Sequence, residues 1–586
     1  MTSRRKTPVQ KTVRKKAVRV KKIGKYNLPS WRYNMAIGGM AVLGLVLVGR
    51  IATLQVLPDV EQGYEFLQSQ GDRRTIRDQE IPAYRGSILD RNGRPLAVST
   101  PLVDIIADPQ LLREDQRASL AKAVGISEVE LGEKLAFYSD KRFMYVKRGL
   151  RPDQAEPIAE ARFVGVTVQE DYRRFYPDSE VFAQTLGLLH SEGYGIEGLE
   201  LGYEDWLSGT SGKQRVVVDR FGRVVDYLGL ISSVEPGKDL KLTIDMELQY
   251  LAYKALKAAF IKHQAASASM VVMDPRTGEI LAMASQPSFN PNNRENIKYD
   301  SVRNRALVDS FEPGSTVKPF TMLAAIESGK YHPSTAIETS PGYIRVDGKF
   351  IKDFRNYETL DLTGVLAKSS QVGTVKVALS LDEDLLFETF QSVGLGEPAV
   401  VGFPGEVGGS LPQRYNWDDI QRVTFAYGYG VTATTLQLAQ AYSVLANDGL
   451  RVYPSLVQGV SKPAPEQVAS VSAVQKVKAM MQEVVEHGTG TLAAVEHYNV
   501  AGKTGTGHLI DSSGGYDDHR YSSLFAGFAP ADDPELVIAV VISDPKGEDY
   551  FGGLVAAPVF SEVMGNALRI LNVPGEQEDI LLGVNQ

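Results

Sequence analysis

Ser315 and Lys318 are the two residues whose types and spacing point most directly to chemistry. They lie in Phe311-Glu312-Pro313-Gly314-Ser315-Thr316-Val317-Lys318-Pro319-Phe320. Pro313-Gly314 reads as a turn and Thr316 to Ser328 as a helix. Ser315 therefore stands at a helix start, with Lys318 one turn on along the same face. Pro319 falls in the first turn, where a missing N–H costs little. A serine hydroxyl is a poor nucleophile near neutral pH without an adjacent base. A lysine three residues away serves as that base if burial or a second cation lowers its pKa.

The spacing alone says little, because Ser3/Lys6, Ser119/Lys122 and Ser543/Lys546 share it. Ser3 is in a basic tail, Ser119 falls inside a helical run, and Ser543 ends a strand. Two later motifs set Ser315 apart. Ser369-Ser370-Gln371 comes 54 residues after it and Lys503-Thr504-Gly505-Thr506 comes 188 after it. A Ser-x-x-Lys, a Ser-Asp-Asn-type element and a Lys-Thr-Gly, in that order, form the signature shared by penicillin-binding proteins and class A β-lactamases. The first and third are intact here, and the second is altered.

Each element has a chemical role to fill. Ser315 would attack a carbonyl carbon and Lys318 would take its proton. The oxyanion that forms needs pre-aimed donors, and the backbone N–H groups of Ser315 and of Thr506, on an edge strand, are the natural pair. Ser369 would relay a proton to or from a leaving amine. Lys503 would supply positive charge, favouring neutral Lys318 and drawing in an anionic substrate. The Thr504 and Thr506 hydroxyls would bind a terminal carboxylate.

The elements that must position these groups follow from composition and periodicity. At 586 residues the chain is too long for one ordinary domain. There are no cysteines, which excludes a disulfide framework, a thiol nucleophile and a thiolate metal site. The seven histidines, at 190, 263, 332, 487, 497, 508 and 519, form no His-x-x-x-His pair, so no metal and no cofactor is expected. His508 and His519 come after the Lys-Thr-Gly element; they could line a site, but read better as loop histidines. Residues 1–34 hold twelve lysines and arginines and no acid. With −8 on the whole chain, the remainder carries −20. A basic head on an acidic body fits nucleic-acid binding, but the next segment points to a membrane, and no nucleic-acid partner is expected. Ala36 to Leu57 is apolar except for Arg50, Thr53 and Gln55, and its twenty-two residues span about 33 Å as a helix. Arg50 can snorkel to one interface, and Trp31 and Tyr33 suit the other. The basic head places the N-terminus in the cytoplasm and the acidic body outside. No small-residue cleavage site comes after the apolar run, so the segment reads as a retained anchor.

From Asp59 to about Pro236 the chain mixes short β-like runs with a helical stretch, Pro109 to Gly132. Arg85 to Gly93 reads as a strand entering an Asn-Gly turn. Arg173 to Pro177 and Gly195 to Glu200 are further punctuated segments. The charges there read as structural ion pairs, and Glu235 to Lys238 reads as a boundary. Beyond it, Leu248 to Phe260 is an amphipathic helix. Ser269–Met273 and Glu279–Ser285 are strands joined by the turn at Asp274 to Gly278. A mostly helical middle runs to about residue 495. Val500–Gly507, Ser522–Phe528 and Leu536–Ser543 are strands, and Pro558–Leu571 is a last helix. The expected fold class is α+β: an antiparallel sheet built from the two ends of the domain, with a helical insert carrying the nucleophile.

With these motifs the chain resembles the class B penicillin-binding proteins, and among them the FtsI-type cell-division D,D-transpeptidases. The resemblance runs from the anchor to about residue 571. It rests on Arg85-Gly-x-Ile-x-Asp-Arg-Asn-Gly93, Arg174-Phe-Tyr-Pro177, Glu312-Pro-Gly-Ser-Thr-Val-Lys-Pro319, Tyr427-Gly-Tyr-Gly430, Leu445-Ala-Asn-Asp-Gly449 and Lys503-Thr-Gly-Thr506. It implies a basic cytoplasmic tail (1–34), a single transmembrane anchor (35–57), a mixed α/β non-catalytic pedestal (58–236), a penicillin-binding transpeptidase domain (237–575) and a short tail (576–586). It implies an acyl-enzyme on Ser315, made from the D-Ala-D-Ala end of a peptidoglycan stem peptide on a lipid-linked glycan strand and resolved by a neighbouring stem's amine. It implies β-lactams as inhibitors acylating the same serine. It also implies the cytoplasmic membrane as the location, and an FtsW-type glycosyltransferase and other division proteins as partners. Tyr521 and Tyr550-Phe551 resemble the aromatics that wall the family's site. The chain departs from the family at Gln371, where the second element normally ends in Asn or Asp. The longer amide can reach Lys318 or a substrate amide only with a shifted backbone or rotamer.

Two other readings share these residues. One is a hydrolase of the same clan, a D,D-carboxypeptidase or β-lactamase. The other is a non-enzymatic division scaffold whose site is weakened by Gln371. A retained anchor and a large pedestal fit wall synthesis better than β-lactamase action, and the intact serines and lysines argue against the scaffold.

Overall fold

The computed structural model describes residues 29–55, 64–219, 224–295, 297–412, 417–510 and 515–575. Residues 1–28 of the expected basic tail, the last two of the expected anchor and the tail 576–586 lie outside the described residues. The chain divides into two compact units, Met1–Asp78 with Arg215–Gly229, and Gln79–Gln214 with Leu230–Gln586.

The first unit carries the apolar helix Ser30–Gln55, which starts ahead of the expected anchor and takes in Trp31 and Tyr33. Its Ile37, Leu45 and Val46 are all exposed, and Ser30–Leu54 is long and apolar enough to cross a membrane. An open apolar surface of that extent does not persist in water, and the helix suits a membrane anchor. The helix Tyr64–Thr75 comes next.

In the second unit a mixed sheet comes first. Its long strand Pro95–Ala107 pairs antiparallel with Ile88–Leu89, Met144–Leu150 and Val166–Phe175. The Asn92-Gly93 turn before it is fixed by Asp90, whose carboxylate accepts the Asn92 and Arg94 N–H groups at 2.8 and 2.7 Å. Helices Glu114–Val124, Glu128–Phe137 and Pro152–Ala161 bury Leu120, Leu131 and Ile158 against this sheet. The chain leaves through Leu240–Lys241, which pairs in parallel with Ile88–Leu89, so the sheet is still being completed after the Pro236-Gly237 turn.

The C-terminal half is a three-layer stack. Its antiparallel sheet has the order Ile280–Gln286, Ser267–Met273, Leu536–Ser543, Tyr516–Ala529, Ala501–Ile510, so two strands come from the start of the domain and three from its end. Alternate residues on a strand face opposite ways, and here both faces are apolar. Met270, Val272, Ile538 and Val540 pack with Leu256, Phe560 and Val563 of helices Met246–Lys262 and Ala557–Ile570. Val271, Met273, Val537 and Ala539 belong to the other core, with Phe320, Leu323, Leu436 and Val477 of helices Lys318–Glu327, Thr435–Ala446 and Val471–Glu486. The continuous Val/Ile runs result from this double coverage.

The middle is less helical than the sequence suggested. Tyr343–Val346 and Lys349–Lys352 form a hairpin, and Ala336–Glu338 pairs with Thr359–Asp361. Asp347 (φ 46°) and Gly348 (φ 82°) make the hairpin turn. Asp-Gly suits a two-residue turn with both φ values positive, so the signal was present in strands too short to show periodicity.

Candidate active site

The nucleophile turn differs from a plain helix start. Gly314–Val317 is a tight 3₁₀ turn, and the α-helix begins at Lys318. In a 3₁₀ turn residues i and i+3 eclipse, so Ser315 and Lys318 stack more directly than α-helical spacing would place them. Among the described residues neither the hydroxyl nor the backbone N–H of half-buried Ser315 has a hydrogen-bond partner. Both are therefore available, one for attack and one for an oxyanion.

Lys318 through Ile326 are buried without a break, and burying a large apolar side chain such as Phe320 contributes about 1.5–3 kcal/mol. Lys318 is the exception on that helix, a charged group with no exposed surface. Its Nζ donates to the Ser369 carbonyl oxygen at 2.7 Å and to Ser369 Oγ at 3.2 Å. Burial pushes its ammonium down to about 7, and the Asp353 charge opposes that. The base in waiting is thus produced by desolvation rather than by a second cation.

The second motif is brought to the first. Ser369 has a backbone φ of 57°, and Ser370 caps helix Gln371–Ser380 by accepting the Gly373 N–H at 2.9 Å. The Gln371 N–H is held by Asp353 at 2.6 Å. The half-buried Gln371 side-chain amide has no partner among the described residues, and Lys318 bonds to Ser369 instead.

The third motif abuts the nucleophile turn. Ala501–Ile510 is the sheet's edge strand, with Lys503 opposite Ala526 and Thr506 opposite Ser523. A Cβ on Gly505 would sit 2.7 Å from Thr316 Cγ2 and 3.0 Å from the Pro313 carbonyl oxygen, so only glycine admits the turn this closely. Gly428 (φ 89°) does the same from the other side. Its carbonyl accepts the Gly314 N–H at 3.1 Å, and a Cβ there would lie 2.2 Å from the Gly314 oxygen. This accounts for a glycine in Tyr427-Gly-Tyr-Gly430.

Thr504 and Thr506 are two apart and share a face of the strand. Thr504 Oγ1 is 2.7 Å from Thr489 Oγ1 and accepts from Lys503 Nζ at 3.2 Å, while Thr506 Oγ1 accepts the Gly552 N–H at 3.1 Å. Lys503 is fully buried and also donates to the Thr504 carbonyl at 3.0 Å. Burial first, and the Lys318 charge second, hold its ammonium well below the ordinary lysine range. This corrects the assignment of a standing positive charge to Lys503: buried without an anion, it is driven toward the neutral form too. A carboxylate placed between the threonines would restore its proton.

Aromatic rings line the same end of the sheet. Tyr521 stacks on Tyr550 at 4.2 Å, and Tyr550 meets Phe551 at 4.4 Å. His508 is on the edge strand, not in a loop, with its ring 4.8 Å from Tyr521. His519 lies on the neighbouring strand.

Three contributors escaped sequence reasoning. Glu312 is buried beside the nucleophile turn, where its Oε1 accepts the Gly430 N–H at 2.8 Å and the Tyr516 hydroxyl at 3.1 Å. Burial pushes its carboxyl up. Thr489 reaches Thr504 from the loop after helix Val471–Glu486, with only the run Gly488-Thr489-Gly490-Thr491 to mark it. Asp353 comes directly after the unrecognised hairpin.

Comparison with known proteins accords with this geometry. Residues 268–565 match the penicillin binding protein transpeptidase domain family, and residues 80–242 match the penicillin-binding protein dimerisation domain family. The probable peptidoglycan D,D-transpeptidase PbpC of Pseudomonas aeruginosa is 42% identical over 548 residues, covering 93% of this chain and 96% of that protein. Peptidoglycan D,D-transpeptidase FtsI of Escherichia coli is 39% identical over 557 residues, 93% of each. The crystal structure of penicillin-binding protein 3 from Mycobacterium tuberculosis complexed with aztreonam matches with a TM-score of 0.68 at 28% identity, over 85% of this chain and 98% of that one. The chain belongs to the penicillin-binding proteins, among the peptidoglycan D,D-transpeptidases.

Proposed function

We propose that this protein cross-links peptidoglycan at the division septum as a serine D,D-transpeptidase and is a β-lactam target. The observation that carries the reading is Lys318: a fully buried lysine with its ammonium pushed down to about 7, bonded to Ser369 and one 3₁₀ turn from a Ser315 whose hydroxyl has no partner among the described residues.

The residues divide the reaction in two. Ser315 Oγ attacks the carbonyl of the penultimate D-alanine while neutral Lys318 takes its proton. The oxyanion is stabilised by the N–H groups of Ser315 and Thr506. Collapse breaks the C–N bond, and the proton passes from Lys318 through the Ser369 hydroxyl to the departing D-alanine amine. Lys503, recharged by the substrate carboxylate, holds that group with Thr504 and Thr506. The neighbouring stem's amine then attacks the acyl ester, gives up a proton along the same path and returns Ser315 to its hydroxyl form. Gly505 keeps the edge strand against the nucleophile turn, Gln371 addresses the substrate amide, and Tyr521 walls the site.

The remaining assignments complete this reading. Residues 58–236 serve as the pedestal and 237–575 as the catalytic domain. The N-terminus lies in the cytoplasm, with the catalytic domain outside the cytoplasmic membrane. An FtsW-type glycosyltransferase and other division proteins are the partners, an assignment supported by the similarity to FtsI.

The test is intact-protein mass spectrometry of the detergent-solubilised full chain after incubation with benzylpenicillin, with Ser315→Ala alongside. A single stable adduct present in the natural protein and absent from the variant is expected. Rapid loss of the adduct with turnover of the drug would favour a hydrolase, and no adduct would favour a scaffold.

A further inference from the structure

The second motif does not hold itself in place. Ser369 has a left-handed φ of 57°, which a residue with a side chain adopts only where its surroundings impose it. Those surroundings are supplied by Asp353, immediately after the hairpin Tyr343–Lys352 and tied to it by an N–H donated to the Gly342 carbonyl at 2.9 Å. The Asp353 carboxylate is fully engaged by the motif. Its Oδ2 accepts the Ser370 hydroxyl at 2.6 Å, and its Oδ1 accepts the N–H groups of Gln371 at 2.6 Å and Val372 at 3.1 Å. With Ser370 accepting from Gly373, the first three N–H groups of helix Gln371–Ser380 are satisfied, and a negative charge lies at its positive end. Ser369 is the residue just before this clamp. Its carbonyl and hydroxyl both point at Lys318 Nζ, 2.7 and 3.2 Å away.

We propose that Asp353 is a positioning residue for acyl transfer: from outside all three motifs its carboxylate fixes the turn that aims Ser369 at Lys318, and its negative charge is the counter-charge to the ammonium that forms when Lys318 takes the Ser315 proton. The proposal rests on Ser315 being the acylated nucleophile.

The charges around Lys318 make Asp353 the natural counter-ion. From the edge strand the only ionisable group facing it among the described residues is Lys503, itself buried and of the wrong sign. Lys368 donates to the His487 carbonyl, Lys478 pairs with Asp448, and Glu312 is taken up by Gly430 and Tyr516. The acids of helix Glu383–Ser392 are exposed. Burial drives the Lys318 ammonium down, and Asp353 is the charge that holds it up against that drive. Without Asp353, Lys318 would give up its proton at lower pH, and the acid limb of the acylation profile would move the same way.

The test is the rate of acylation of the full-length protein by a fluorescent penicillin from pH 5.5 to 9, for the natural protein, Asp353→Asn and Ser370→Ala, each with a thermal melt. Asp353→Asn is expected to lower the plateau about tenfold to a hundredfold, the scale of a small misplacement of a reacting group, and to shift the acid limb to lower pH. Ser370→Ala keeps the charge and removes one of the three bonds, so its plateau falls less and its limb stays put. An Asp353→Asn profile superimposable on the natural one, whatever its melting temperature, would overturn the proposal. Should that variant not fold, a natural plateau in Ser370→Ala would overturn it. No adduct on the natural protein overturns the Ser315 reading and this proposal with it, whereas a natural adduct with an unmoved limb in Asp353→Asn overturns this proposal alone.

Discussion

Two regions of this molecule bury ionisable side chains, and they treat them in opposite ways. In the dimerisation domain, Glu200 has no exposed surface. It receives Arg85 Nε at 2.7 Å, Arg174 Nε at 2.6 Å and the Tyr176 hydroxyl at 3.3 Å. Arg85 also reaches Glu204 at 2.8 Å and the Glu200 carbonyl at 2.9 Å, and Arg174 reaches the Gly86 carbonyl at 2.7 Å. In the candidate active site, Lys318 and Lys503 are equally buried and bond only to carbonyls and hydroxyls, with no carboxylate in direct contact and Asp353 acting on Lys318 at one remove. The Glu200 cluster balances charge with charge and so holds three segments together. Neither lysine is paired directly with a carboxylate, so burial drives both ammonium groups down and a proton is available for transfer. The first is a structural joint, and the second stores instability where proton movement is needed.

Removing the stored group is expected to have the largest effect. Lys318→Met should cut acylation by penicillin about 1,000-fold, the range for loss of a positioned base, while the protein melts no lower than the natural chain at pH 7. A buried amine displaced from its ordinary pKa costs about 1.4 kcal/mol per pH unit of displacement, which over the displacement to about 7 outweighs the two hydrogen bonds to Ser369 that are lost, at ~1 kcal/mol each. The displacement also sets the sign over pH. Lys318 loses its proton near 7 in the folded protein and only in the ordinary lysine range when unfolded. Between those values the unfolded chain binds more protons, so stability rises with pH across that window, and the variant should lose this dependence. Acylation of the natural protein should fall about tenfold per pH unit below 7, as the neutral amine is titrated away. A Lys318→Met protein that melts far below the natural one would break the comparison, since both regions would then be structural.

A variant in the Glu200 cluster should show the converse. Glu200→Gln leaves Arg85 and Arg174 buried beside a neutral amide, and breaking such a buried pair costs about 3–5 kcal/mol. The melting temperature should fall clearly, while the acylation rate per folded molecule at moderate temperature stays as it was. Equal loss of acylation would mean that the joint also transmits geometry to the site; Asn292, from the segment after strand Ile280–Gln286, is bonded to the joint. Its side chain accepts the Tyr176 N–H at 3.1 Å and donates to the Tyr176 carbonyl at 2.8 Å.

The same contrast explains what the sequence disclosed. Ser315, Lys318 and Lys503-Thr504-Gly505-Thr506 were legible because each is a compact run whose residue types carry the chemistry. The sheet and its flanking helices were legible because Val271, Val537 and Val540 lie in long apolar runs. Asp353 was not, because it acts from the end of a four-residue strand through partners seventeen or more positions away. Nor was the state of Lys503, because burial is a property of the packed core. Arg85, Arg174 and Glu200 were visible as punctuated motifs, but their meeting on one carboxylate is a fact of tertiary structure.

Gln371 tests the finer grain of the comparison and should give the smallest effect. Its backbone N–H is clamped by Asp353, and its side-chain amide is free among the described residues. Shortening it by one methylene in Gln371→Asn leaves the clamp, the Ser370 cap and the Lys318–Ser369 bonds untouched. The amide keeps its donor and acceptor but moves about 1.5 Å closer to the helix start. Acylation by penicillin should stay equal or rise by no more than about threefold, under 1 kcal/mol of transition-state stabilisation. The pH profile should superimpose on the natural one, since no charge near Lys318 has changed. A large loss would show that the site has re-formed around the longer side chain. A moved acid limb would show that Gln371 reaches Lys318 once substrate is bound, placing it with the proton-handling groups rather than with those that recognise the substrate amide.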